Sequence, residues 1–216
     1  MRRRSLLIGG LAAAAAALLV AVTATAIGLH GAPIARTGGM MGGLSGGGSG
    51  NIGIDRATKV ARGVAASYPG GGLVVDEVIE FSNGYYASIR EKSTGTGAFE
   101  ILIDRATGQV AREPGPDMMW NTRYGMGTGG MMGGAYAGTR STFVSSAQAR
   151  SIAQRWLDAN QPGTTANAPD AFHGYYTVDF EKDGRLAGML SVSGSSGAVW
   201  YHSWHGDFVQ VRDLGA

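Results

Sequence analysis

Two stretches of this chain run through the same succession of hydrophobic patterns, and that repetition restricts its fold more than any single motif does. In the first, Ala57, Val60, Ala61, Val64, Ala65 and Tyr68 recur at helical spacing and stop at Pro69-Gly70. In the second, Ala149, Ile152, Ala153, Trp156 and Leu157 do the same and stop near Pro162-Gly163. Each set is one apolar stripe on a short amphipathic helix. Ser145 and Ser146 are candidate caps for the second helix. After each helix comes a glycine followed by two tyrosines, Gly84-Tyr85-Tyr86 and Gly174-Tyr175-Tyr176, opening an alternating strand. A polar turn and a second apolar strand follow, Phe99–Ile103 and Ala187–Val192, with Asp183-Gly184 as a hairpin turn in the second stretch. Thr107-Gly108 and Ser196-Gly197 then lead into short final strands at Val110 and Val199. The run from Leu73 to Ile79 adds a strand to the first stretch. Its counterpart, residues 164–171, reads as a loop.

Glycine separates the two stretches. The chain has 37 glycines in 216 residues, and such an excess belongs in irregular segments, since glycine weakens element interiors. Residues 37–53 and 125–138 are glycine tracts of this kind. The organisation expected is a basic n-region at 1–4, an apolar segment at 5–29, a Gly/Met-rich linker at 30–53, a first repeat at 54–116, a Met/Gly-rich linker at 117–140, and a second repeat at 141–216. The fold class expected is α+β: two tandem repeats, each one helix packed on a small antiparallel sheet, after an N-terminal apolar helix. Units of about 65 residues have thin cores, so the repeats are expected to pack on each other, with Trp156, Trp200 and Tyr201 as large buried pieces.

Arg2, Arg3 and Arg4 precede a stretch without charge, residues 5–29, long enough as a helix to cross a bilayer's hydrocarbon core. The same residues fit an uncleaved membrane anchor, with the arginines kept in the cytoplasm, or a secretory signal cleaved after Ala24-Thr25-Ala26. Either way the remainder is expected outside the cytoplasm, as a single-pass membrane protein or a secreted one. The formal charge of +2 rests on this leader. Removing Arg2, Arg3, Arg4 and Arg36 from 18 basic residues leaves 14 against 16 acidic ones, which takes away the electrostatic basis for nucleic-acid binding. The absence of cysteine rules out disulfides, thiolate metal sites and thiol nucleophiles.

An alanine-striped helix, then G-Y-Y with alternation, an apolar strand, and S/T-G-x-V together resemble the PepSY domain over about residues 55–115 and 145–210. The resemblance implies an α+β unit without catalytic residues, associated with binding or restraint of partner proteins, including peptidases.

Two motif matches are accidents of glycine content. Residues 43–47 satisfy G-x-S-x-G without a strand before or a helix after. Residues 125–130 satisfy G-x-G-x-x-G without a βαβ setting. No H-E-x-x-H occurs and nothing places a serine on a nucleophile turn, so the chain is expected not to be an enzyme. The methionines carry more. Met40, Met41, Met118, Met119, Met126, Met131 and Met132 lie in or beside the glycine tracts, and thioether sulfur is a soft ligand that selects Cu(I). Met118, Met119, Met126, Met131 and Met132, with His202 and His205, form the candidate copper site. The two histidines, three apart, would face opposite sides of a strand and need a bend between them. Their segment, 200–206, aligns with Ala111 through Pro116, so the candidate ligands gather at matching ends of the two repeats. Methionine as packing in irregular segments is the competing reading. Of each tyrosine pair, one is expected in the core and the other outward. The function expected is non-catalytic binding or regulation in the cell envelope. The partners are the membrane, through the N-terminal helix, and an envelope protein or peptidase; the alternative to copper binding is a module that restrains such a partner.

Overall fold

The computed structural model describes residues 50–126 and 142–215. The basic n-region, the apolar segment 5–29, nearly all of the first linker, and Met131 and Met132 lie outside the described residues. No helix among the described residues is long and apolar enough to cross a membrane.

Helix α1 (Ile54–Ser67) buries Ile54, Ala57, Ala61 and Ala65 along one stripe. The small alanines let its axis lie close to the strands beneath. It ends where Tyr68 leaves helical geometry, and Gly70, Gly71 and Gly72 then take positive φ to reverse the chain. Four strands follow: β1 (Leu73–Phe81), β2 (Gly84–Glu91), β3 (Gly97–Asp104) and β4 (Val110–Arg112). The one-turn helix α2 (Pro116–Met119) comes next. Helix α3 (Ser146–Asn160) starts in a capping box, with Ser145 Oγ accepting from the Gln148 backbone N–H and the Gln148 side chain accepting in return. The remaining strands are β5 (Thr164–Ala166), β6 (Asp170–Phe172), β7 (Tyr175–Lys182), β8 (Arg185–Ser193), β9 (Val199–Tyr201) and β10 (Phe208–Asp213).

The expected pair of repeats, each with its own sheet, is corrected. All ten strands form one mixed sheet in the order β10-β1-β2-β3-β6-β7-β8-β9, with β4 on β3 and β5 on β7. Two pairings join what the sequence separates. Strand β6 meets β3 in parallel at Gly97 and Phe172. Strand β10, which the sequence reading lacks, carries the end of the chain back to β1, pairing Ile79 with Val211 and Val78 with Arg212. Hydrophobic periodicity reports which face a side chain takes and leaves no record of which edges share hydrogen bonds. The loop expected at 164–171 instead supplies β5 and β6, too short for a period of two to register.

One face of the sheet is apolar and helix-covered. Ala57, Ala61 and Ala65 of α1 pack with Val78, Tyr85, Ile89, Phe99, Ile101 and Ile103. Ala149, Ala153 and Leu157 of α3 pack with Tyr176, Val178, Phe180, Leu190 and Val192. The other face curls onto itself, since Met189 of β8 is buried against Ile79 and Phe81 of β1 and Tyr86 of β2. Hence all four paired tyrosines are buried, at 2%, 1%, 0% and 8% exposure for Tyr85, Tyr86, Tyr175 and Tyr176. The outward member expected in each pair does not exist, because both faces are covered. The pairs also face opposite ways: Tyr85 and Tyr176 lie on the helix side, donating to the backbone carbonyls of Ile52 and Val144, whereas Tyr86 and Tyr175 point inward. Aligning the two G-Y-Y triplets is therefore one residue out of register with the sheet. Trp156, Trp200 and Tyr201, expected to be buried, are half-buried, with Trp156 stacked on Tyr201 at 5.5 Å.

The β3–β6 junction depends on the missing side chain of Gly97, where a Cβ would stand 2.4 Å from Phe172 Cδ1. Phe172 is itself stacked on Tyr175 at 4.9 Å and has little room to yield. Gly97→Ala is expected to cost about 1–3 kcal/mol, the usual range for overpacking, read as a lower denaturant midpoint. A midpoint equal to the parent's would show that this junction is not tightly packed.

Candidate metal centre

Beside the apolar cluster of Ile79, Phe81, Tyr86 and Met189, the curled face carries titratable groups drawn from both halves of the chain. Glu113 follows β4 and continues its ladder, its N–H donating to Glu100 O at 3.0 Å. Gly115, at φ 79°, then turns the chain beneath Trp200; a Cβ there would meet the indole at 2.9 Å. His202 likewise extends β9, donating from its N–H to Met189 O at 3.1 Å. The chain then turns at Ser203 and Trp204 before reaching His205. That turn supplies the bend the two histidines need, and both imidazoles reach one carboxylate.

Glu113 Oε1 lies 3.0 Å from His205 Nε2 and 3.4 Å from His202 Nδ1 and accepts from Trp204 Nε1 at 3.1 Å. The Glu113 and His202 side chains are fully buried and that of His205 is 5% exposed. The rings are fixed from outside: His205 stacks on Phe81 at 4.4 Å, His202 stacks on Trp204 at 4.6 Å, and His202 Nε2 is 3.0 Å from Ser191 Oγ. Burial pushes the Glu113 carboxyl up, but the facing His202 and His205 outweigh it and hold the group at about 2. Two atoms stay unsatisfied. Glu113 Oε2 and His202 Nδ1 are buried without a hydrogen-bond partner among the described residues, a condition that costs free energy at a purely structural site.

Behind this cluster lies a second carboxyl, Glu100 of β3. It accepts from Tyr86 at 2.6 Å, Tyr175 at 2.7 Å and Thr177 at 2.7 Å. Burial, then the nearby Glu113 and Asp117, push Glu100 well above the usual carboxylate range. Asp117 of α2 is raised to about 6 by burial, against the opposing pull of Arg112, which it meets at 2.6 Å. The inward tyrosines of both halves thus converge on one carboxyl, that of Glu100.

Glu113, His202 and His205 place one donor atom each within 4.8 Å of one another. Tetrahedral ligands about 2.0–2.1 Å from a zinc-like ion sit roughly 3.3 Å apart, and the 3.0 and 3.4 Å separations fit that spacing. Of the sequence-derived candidates, the structure brings together His202 and His205. Met119 and Met126 are 64% and 72% exposed, and Met118 is half-buried on α2. Met131 and Met132 lie outside the described residues. Glu113 was missed by the sequence reading. The signal available was its place in the 111–116 segment that aligns with 200–206.

No family model matches the chain, and none of the curated proteins matches it. Among solved structures, the chain is similar to the Bacillus megaterium YpeB C-terminal domain, with 12% sequence identity and a TM-score of 0.26. The match covers 69% of this chain and 62% of that one, so the chain spans less than two thirds of that domain. At that level the likeness defines neither family nor activity.

Proposed function

We propose that this protein is a non-catalytic, PepSY-like binding protein of the cell envelope that holds a divalent transition metal, copper or zinc, at Glu113, His202 and His205. The observation that carries the reading is the buried cluster of three donor groups, in which Glu113 Oε2 and His202 Nδ1 have no hydrogen-bond partner among the described residues. An ion held by the carboxylate and the imidazole would satisfy both. Two imidazoles and a carboxylate suit divalent copper or zinc, whereas Cu(I) prefers thioethers. Copper enters here as Cu(II), with the exposed Met119 and Met126 outside the ligand set. Ser191, bonded to the far nitrogen of His202, has the orienting role that outer partners of metal-bound histidines commonly have. The bound ion would lock the end of β9 to the end of β4, supplying a structural clamp or a sensor without a reaction. The leader at residues 1–29 supports placement in the envelope.

Calorimetric titration of the full-length chain with Zn²⁺ and with Cu²⁺ tests this. One ion per chain is expected, with binding lost in His205→Ala and weakened about 10–100-fold in Ser191→Ala. Met119→Leu/Met126→Leu is expected to bind like the parent. Failure of both ions to bind, or binding that follows the methionines, overturns the assignment. A second reading, docking of an envelope partner by strand addition, is favoured by β10, an outermost strand that exposes Val209 and Val211 at 46% and 51%.

A further inference from the structure

Resting on that metal reading, we propose that the ion's remaining coordination position is served through the cleft beside His205, and that the cleft takes a small neutral molecule with an apolar body and one heteroaromatic nitrogen donor. Three protein ligands leave a zinc-type ion one position short of four, the arrangement of sites that accept an exogenous ligand. Glu113 and His202 have no exposed side-chain surface, whereas His205 lines a cavity. That cavity is a cleft of about 320 Å³ between the β3–β4 hairpin and the loop after β9. Its wall includes Phe81, Leu102, Val110 and Trp204, with Asp104 and Gln109 also lining it. The volume lies at the small end of ligand pockets, enough for a ring and a short substituent.

The wall chooses the chemistry of the occupant. Phe81, Leu102, Val110 and Trp204 offer apolar area and aromatic faces, which favour a flat apolar body. Asp104 is kept ionised by the Thr107 hydroxyl and the Thr107 and Ala106 backbone N–H groups, so it repels a second negative charge. A neutral nitrogen heterocycle meets both conditions, and an aryl carboxylate meets only the first.

Co²⁺ in place of the native ion gives a visible spectrum that reports a change of ligand. The Co²⁺-loaded full-length chain is titrated with 1-benzylimidazole and with phenylacetate. Benzylimidazole is expected to shift the spectrum saturably, with phenylacetate clearly weaker, most so at low salt, where the Asp104 charge is least screened. Val110→Trp, which fills the cleft from its exposed rim, should keep the Co²⁺ spectrum and lose the benzylimidazole response. Co²⁺ binding with no response to either probe, or an equal response in Val110→Trp, overturns the cleft proposal and leaves the metal site standing. If Co²⁺ does not bind at all, both fall.

Discussion

Raising the pH from 5 to 8 is expected to destabilise this protein. Five carboxyls are raised: Glu100 and Asp117 are fully buried, Glu77 and Asp179 half-buried, and Asp170 lies at the surface beside them. Desolvation lifts Glu77 to about 9, reinforced by Asp179, and lifts Asp179 to about 7, reinforced by Asp170. Asp170 and Asp117 stand at about 6, and Glu100 well above its ordinary value. In each case the folded state keeps a proton that the unfolded chain has already released above about pH 4.5, so stability is full below that point and falls as pH rises toward the folded values. Glu91 and Glu113, both held at about 2, act in the opposite sense and lose their contribution as pH falls below 4.5. Glu91 is set by burial opposed by hydrogen bonds from Thr94, Tyr124 and His173. The optimum is therefore on the acid side, near pH 4.5–5. Two groups each shifted by one unit within the window contribute about 3 kcal/mol, which is roughly 6–12 °C in melting temperature for a domain of this size. Melts at pH 5 and pH 8 read this directly, and Glu77→Gln/Asp179→Asn should raise the pH 8 value and flatten the slope. A melting temperature that is level or rises from pH 5 to 8 would refute the account.

The helices and central strands were legible because each presents one apolar face with the right period. Ser145 was legible as a cap because a short polar side chain before an apolar stripe has one common use. The single sheet was not, since its two joining contacts, Gly97 with Phe172 and β10 with β1, are backbone pairings at strand edges. The polar face was hidden for a related reason. Glu77, Glu100, Thr177, Asp179 and Ser191 alternate with apolar residues as a solvent-facing set would, whereas the curl of the sheet buries Glu100, Thr177 and Ser191 and half-buries Glu77 and Asp179. The candidate site was half legible: His202 and His205 were singled out by type and spacing. Glu113 sits among Arg112, Pro114 and Gly115 with no local pattern to distinguish it, and only the meeting of β4 and β9 gives it a role.

Glu113→Ala should be the most damaging single change at the site, with or without metal. The carboxylate is fully buried, its Oε1 is shared by Trp204 and two histidines, and its removal strands those groups in a dry interior. Breaking a buried charged cluster by deleting one member costs about 3–5 kcal/mol, or roughly 6–20 °C in melting temperature. Glu113→Gln separates packing from ligation. Its amide oxygen still accepts from Trp204 and His205, so the metal-free protein loses the carboxylate's charge contribution but not its packing, and should melt between Glu113→Ala and the parent. Its affinity for a divalent ion should nevertheless fall by at least about 100-fold, because a neutral amide replaces an anionic ligand. Zinc at 100 times its dissociation constant stabilises a folded protein by about 2.7 kcal/mol, so the parent should melt several degrees higher with zinc while Glu113→Gln does not respond. Equal stability of Glu113→Ala and the parent would remove the cluster from the structural account. A zinc response retained by Glu113→Gln would place the ion elsewhere on the chain.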